Sequence, residues 1–146
     1  MEPQVLKERT FGARLQALPE LVDFIDEAGG ATGVTPDDRF RLTLMVEELF
    51  VNTVTHGHGG DCDAPVRLAL EVEPASLTLV YEDTAPPYNP FAEVKTPGDE
   101  TVPVEARPIG GLGIHLIVTM ADRVAYSYAG GWNQIRVQLT PMPATD

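Results

Sequence analysis

From Thr35 to Gly57 the chain carries the pattern of a helix with one buried face. Leu42, Met45, Val46, Leu49, Phe50 and Thr53 recur at offsets of three and four, which lines them up as one stripe on a 3.6-residue period. The residues before it mark its start. Thr35 offers a capping hydroxyl, Pro36 lacks only an N–H that a first turn leaves unpaired, and Asp37 and Asp38 face the positive helix end. A helix striped on one side needs a second layer to cover it.

Strands supply that layer. Val66/Leu68/Leu70/Val72 and Leu77/Leu79/Tyr81 alternate on either side of Pro74-Ala75-Ser76 and read as an antiparallel hairpin; Val124/Tyr126/Tyr128 and Ile135/Val137/Leu139 flank Gly130-Gly131 as a second. Phe11, Ala13, Leu15 and Ala17 alternate as a first strand, and Leu21, Phe24, Ile25 and Ala28 follow at helical spacing after Pro19, with Gly29-Gly30 as the stop. A short apolar helix is expected from Leu112 to Ala121. The order β-α-α-β-β-loop-α-β-β predicts an α/β fold: a two-layer sandwich of a mixed, mostly antiparallel sheet with helices on one face.

No repeat or linker divides the 146 residues, so residues 1–146 are expected to form one domain, interrupted by an irregular loop from Thr84 to Gly110 that holds six of the 13 prolines. With 22 acidic residues against 10 Lys and Arg, the net charge of −12 argues against a nucleic-acid partner, whose phosphates need basic residues. No apolar run approaches a membrane span, the acidic start Met1-Glu2-Pro3 lacks a secretion signal, and a lone Cys62 closes no internal disulfide; a cytoplasmic protein without a membrane partner is expected.

Three segments carry candidate chemistry. On the long helix Glu48 and Asn52 lie about 40° apart and share a face, whereas Glu47 points about 100° away from Glu48. Asp83 ends a strand and opens the loop, where it presents a carboxylate. In Pro108-Ile109-Gly110-Gly111-Leu112-Gly113-Ile114-His115-Leu116 the glycines lead into a helix and leave N–H groups free at its positive end, a place for an anion such as phosphate. That segment lacks the Lys of a Walker loop, and no strand leads into it as a dinucleotide fingerprint requires. His56, His58, Asp61, Cys62 and Asp63 invite comparison with a metal site but are not read as one. Tyr126, Tyr128 and Trp132 are assigned to hairpin packing, with no site role.

In order, Glu48-x-x-x-Asn52, Glu82-Asp83 leading to Tyr88-Asn89-Pro90, and Arg107 to Leu116 resemble the three nucleotide-binding boxes of the GHKL ATPases, whose ATP-binding domain is the Bergerat fold. Within that superfamily the chain is similar to the small stand-alone anti-sigma-factor serine/threonine kinases of the RsbW and SpoIIAB group. Histidine kinases need a phosphoacceptor His on a separate helix pair, and MutL, gyrase and Hsp90 relatives carry long additional domains; neither subclass is the expectation for these 146 residues.

The resemblance implies ATP and Mg²⁺ as cofactors. It assigns Glu48 as general base, Asn52 as the Mg²⁺ ligand, and Asp83 as acceptor of the adenine amino group. The backbone at Gly110, Gly111 and Gly113, with Leu112 and Ile114 beside them, would hold the phosphates. Residues 84–110 would form a lid, with Arg107 reaching the terminal phosphate. The implied function is an anti-sigma factor that phosphorylates a STAS-type anti-anti-sigma protein and sequesters a sigma factor when free; the alternative is a non-catalytic, ATP-gated sequestering protein. A homodimer is compatible with either. One departure stands out: after Asp83, where relatives place a glycine, this chain reads Thr84-Ala85-Pro86-Pro87, with Asn89 where an acid is common.

Overall fold

The computed structural model describes residues 5–92 and 111–141. Five strands and three helices run in the order β1 (Val5–Gly12), α1 (Leu18–Ala31), α2 (Pro36–Asn52), β2 (Pro65–Glu73), β3 (Ser76–Asp83), α3 (Gly111–Met120), β4 (Arg123–Ala129) and β5 (Trp132–Leu139). The sheet order is β1-β2-β3-β5-β4, and where the sequence predicts a mixed, mostly antiparallel sheet all four pairings are antiparallel, because β2–β3 and β4–β5 are each joined as a hairpin and β1 and β3 are closed by the antiparallel neighbours β2 and β5. No helix among the described residues is long and apolar enough to cross a membrane.

Helix α2 forms as its sequence dictates. Thr35 Oγ1 accepts from the Asp38 N–H at 3.2 Å and Pro36 occupies the first turn. Leu42, Met45, Val46 and Phe50 are fully buried, and each such side chain contributes about 1.5–3 kcal/mol. They share one core with Leu21, Ile25 and Ile117 from the other helices and with the inward residues of β2, β3 and β5. The opposite sheet face carries cross-strand polar pairs instead: Arg67 with Glu82 at 3.2 Å and Arg136 with Glu71 at 2.9 Å. Helices therefore lie on one face, and the α/β two-layer sandwich stands.

Two boundaries differ from the sequence reading. The first strand is Val5–Gly12, while Leu15–Ala17 is a 3-10 turn with Leu15 exposed. Leu6 to Thr10 are exposed on this edge strand, so the alternation that marks a buried face is missing there. Gly29-Gly30 does not stop α1 either. Both lie inside its last turn, where a β-carbon at Gly29 would meet Arg39 Cδ at 2.9 Å; the chain leaves the helix at Gly33, with φ of +81°. At the second hairpin Gly130 and Gly131 take φ of +60° and +86°, the conformation a two-residue turn needs.

Candidate functional site

The site grows from the C-terminal end of α2. There the helix widens into one π-helical turn, Thr53–Gly57, a deformation frequent at functional sites. Asn52 and Thr53, adjacent in sequence, serve opposite sides of this turn.

Asn52 is half-buried, and its Nδ2 donates to Glu48 Oε1 at 3.1 Å. The bond turns the amide nitrogen toward the acid and leaves the amide oxygen as a ligand atom. Gly113, in the first turn of α3 with Gly111, Leu112 and Ile114, lies against the same carboxylate: a β-carbon there would overlap Glu48 at Cγ, Cδ and Oε2. Only glycine allows this approach of a helix start to an acid. The groove between α2 and α3 has a volume of about 320 Å³ and is lined by Glu47, Glu48 and Gly113 together with Leu44, Ile117 and Met120. Glu47 thus shares the groove with Glu48, a closer association than the helical angle implied, but Asn52 pairs with Glu48. Of the other residues expected at this end, Arg107 and Gly110, with residues 93–110 of the expected lid, lie outside the described residues.

Thr53 faces inward. Its Oγ1 lies 2.7 Å from Asp83 Oδ2, 2.6 Å from the Tyr81 hydroxyl and 3.0 Å from the Leu49 carbonyl. The threonine has one hydrogen to give and the carboxylate is the strongest acceptor within reach, so Thr53 donates to Asp83 and Tyr81 donates to Thr53. Burial pushes the Tyr81 phenol well above its ordinary pKa of 10.0. The other oxygen of Asp83 accepts from Asn133 Nδ2 at 2.9 Å and from the Ala85 N–H at 3.1 Å.

A carboxylate offers about four acceptor positions. Among the described residues three are used, two on Oδ1 and one on Oδ2, and the remaining one lies on Oδ2. Such a carboxylate is suited to receive one further donor, as an amino group on a purine provides. The approach of Gly57 to the same loop is close, since a β-carbon on it would stand 2.8 Å from Ala85 Cβ.

The sequence reading missed Thr53 as a site residue, missed Asn133 altogether and gave Tyr126 no role. Tyr126 donates its hydroxyl to Asn133 Oδ1. A signal existed for Asn133: it occupies the first inward position of a strand whose later inward residues are Ile135, Val137 and Leu139, and it is only 4% exposed. A polar side chain there requires partners. The other cluster considered does not converge. No group of three or more His, Cys, Asp or Glu that could hold a metal ion occurs among the described residues; Asp61 accepts from the Leu15 N–H, and Asp63 pairs with Arg14 at 2.7 Å.

This fold, with an acid and amide beside the glycine-bearing start of α3 and the next residue, Thr53, bonded to a buried carboxylate at a strand end, is that of an ATP-binding domain of the GHKL type. The chain belongs to the histidine kinase-like ATPase domain family, whose profile matches residues 11–139. Among characterised proteins it is similar to the serine/threonine-protein kinase BtrW of Bordetella bronchiseptica, with 28% identity over 97 residues that cover 66% of this chain and 67% of that protein. The GHKL resemblance read from the three boxes stands, and with it ATP as the ligand of the class.

Proposed function

We propose that this chain is a protein serine/threonine kinase that uses ATP and Mg²⁺, acts as an anti-sigma factor in the cytoplasm, and phosphorylates a STAS-type anti-anti-sigma partner. The observation that carries this reading is the Glu48–Asn52 pair held against Gly113, which sets a proton acceptor beside an amide ligand and a helix start. Phosphoryl transfer asks for little more than positioning and charge stabilisation.

In this reading Glu48 takes the proton from the partner's serine or threonine hydroxyl as its oxygen bonds to the γ-phosphorus and ADP departs. Asn52, kept in orientation by Glu48, would hold Mg²⁺ through its amide oxygen. The cation, when bound, offsets phosphate charge, which a chain of net charge −12 does not do unaided. The N–H groups of the first turn of α3 face the phosphates, and Asp83 takes the purine amino group. Relatedness to a protein named as a serine/threonine kinase supports the reaction class. The test is transfer of label from Mg-ATP to serine or threonine of a purified STAS-type partner. Glu48→Ala is expected to stop transfer and spare ATP binding; undiminished transfer by that variant would overturn Glu48 as base.

A second reading, an ATP-gated sequestering protein without phosphoryl transfer, is favoured by one observation. The segment after Asp83 is Thr84-Ala85-Pro86-Pro87, stiffer than the glycine expected there. It requires ATP-dependent capture of the partner with no phosphoprotein formed, and stoichiometric label on the partner removes it. Sedimentation with and without ATP decides whether either form is a homodimer.

A further inference from the structure

Asp83 and Asn133 are directly opposed across β3 and β5, and Asn133 is bonded on every side. Its Nδ2 donates to Asp83 Oδ1 and to the Ala85 carbonyl, both at 2.9 Å, with the Pro86 carbonyl at 3.4 Å. Its Oδ1 accepts from the Tyr126 hydroxyl and from the Tyr88 N–H at 3.2 Å. The Tyr88 N–H also reaches the Tyr126 hydroxyl at 3.1 Å.

These bonds have one consistent direction. The Tyr88 N–H can only donate, so the Tyr126 oxygen accepts from it and gives its own hydrogen to Asn133 Oδ1. That fixes the Asn133 amide with its nitrogen toward Asp83. Reversing the amide would set its oxygen against the Asp83 carboxylate and the Ala85 carbonyl, and its nitrogen against the Tyr88 N–H, which can only donate. Donation therefore runs Tyr88 to Tyr126 to Asn133 to Asp83 Oδ1, while the second chain from Tyr81 and Thr53 ends on Oδ2. Hydrogen bonds aligned in this way reinforce one another.

We propose that Tyr126 and Asn133 are positioning residues that fasten the first turn after β3, Thr84–Tyr88, to the sheet and hold Asp83 as an acceptor with a position on Oδ2 left open by the described residues. They take over the task of a turn that in this chain has prolines in place of a glycine. The consequence is selectivity for a purine that presents an amino group over one that presents a carbonyl oxygen at the same place. This last consequence rests on ATP occupying the site, whereas the fastening does not.

The experiment uses Tyr126→Phe, which removes one hydroxyl and keeps the ring, and Asn133→Ala, which removes the whole junction. Amide hydrogen exchange is measured at Tyr88 without nucleotide, with the core amides of β2 and β3 as reference. Protection at Tyr88 is expected to fall about three- to tenfold in Tyr126→Phe and further in Asn133→Ala, with the reference amides of Tyr126→Phe unchanged. Unchanged protection at Tyr88 in both variants overturns the fastening, whatever the protein binds.

Affinities for ATP and for inosine triphosphate, which carries a carbonyl oxygen where ATP carries the amino group, are then compared by calorimetry. The ATP-to-inosine-triphosphate ratio is expected to fall about three- to tenfold in Tyr126→Phe. An equal loss for both nucleotides, or an unchanged ratio, overturns the positioning of Asp83. If the unmodified protein binds neither nucleotide, the ATP reading and the selectivity fail together, and the exchange at Tyr88 decides the fastening alone.

Discussion

Asn52 Nδ2 donates to Glu48 Oε1 at 3.1 Å, one helical turn away on α2. The pair divides two tasks between neighbouring atoms, and the variants should separate them. Glu48→Gln keeps a carbonyl oxygen for Asn52 but removes the proton acceptor. It is expected to lower phosphoryl transfer about 10²- to 10⁴-fold while ATP affinity holds. Asn52→Ala removes the amide oxygen and is expected to abolish the Mg²⁺-dependent part of ATP binding. Calorimetry with and without Mg²⁺, beside a transfer assay, reads both.

Gly113→Ala tests the contact between α3 and Glu48. The new methyl would overlap the end of the glutamate side chain, which is flexible and swings aside at little cost. Stability is expected to change by less than about 1 kcal/mol, but Glu48 leaves its place beside Asn52 and transfer falls nearly as far as in Glu48→Gln. In a Glu48→Gln background the same alanine should lower transfer little further. This non-additivity, measured as a double-mutant cycle, distinguishes a displaced base from an unrelated defect in the helix.

Thr53→Val swaps a hydroxyl for a methyl of similar size in the buried junction of Leu49, Tyr81 and Asp83. Asp83 Oδ2 loses its donor there, while the Tyr81 hydroxyl keeps the Leu49 carbonyl at 3.3 Å, and leaving a buried acceptor unsatisfied costs about 1–3 kcal/mol. Urea denaturation should show that loss, and Thr53→Ser should recover most of it because the hydroxyl is restored. An unchanged midpoint for Thr53→Val would show that the hydroxyl junction contributes nothing to folding.

What was legible in the sequence was local. The cap of α2, its stripe and its Glu48–Asn52 face follow from neighbours within a few positions, and all three appear where the spacing puts them. The strand β1 was displaced because an edge strand with Leu6 to Thr10 exposed carries no alternation to read. The partners of Asp83 were illegible for a different reason. Asn133 is 50 positions away and meets Asp83 only because β5, not β4, lies next to β3. Hairpin patterns give the pairing within β2–β3 and β4–β5 but not which strand of the second hairpin joins the first. Without that neighbour relation, Tyr126 reads as hairpin packing, and the inward place of Asn133 in the alternation of β5 does not say which group it meets.

Alkaline pH should single out Tyr81. Its phenol is fully buried and hydrogen-bonded to Thr53 beside the Asp83 carboxylate, and desolvation foremost raises its pKa well above 10.0. In the unfolded chain the same group titrates near pH 10. The folded state therefore holds the proton where the unfolded state releases it. The associated stability is fully present below about pH 10 and declines as the pH rises toward the folded-state pKa. Tyr81 is expected to remain un-ionised in absorbance at alkaline pH until the protein unfolds. Tyr81→Phe should remove that late step and flatten the alkaline decline in stability, at the cost of the bond to Thr53 at every pH. Ionisation of Tyr81 in the folded protein near pH 10, read as the difference from Tyr81→Phe, would contradict this account.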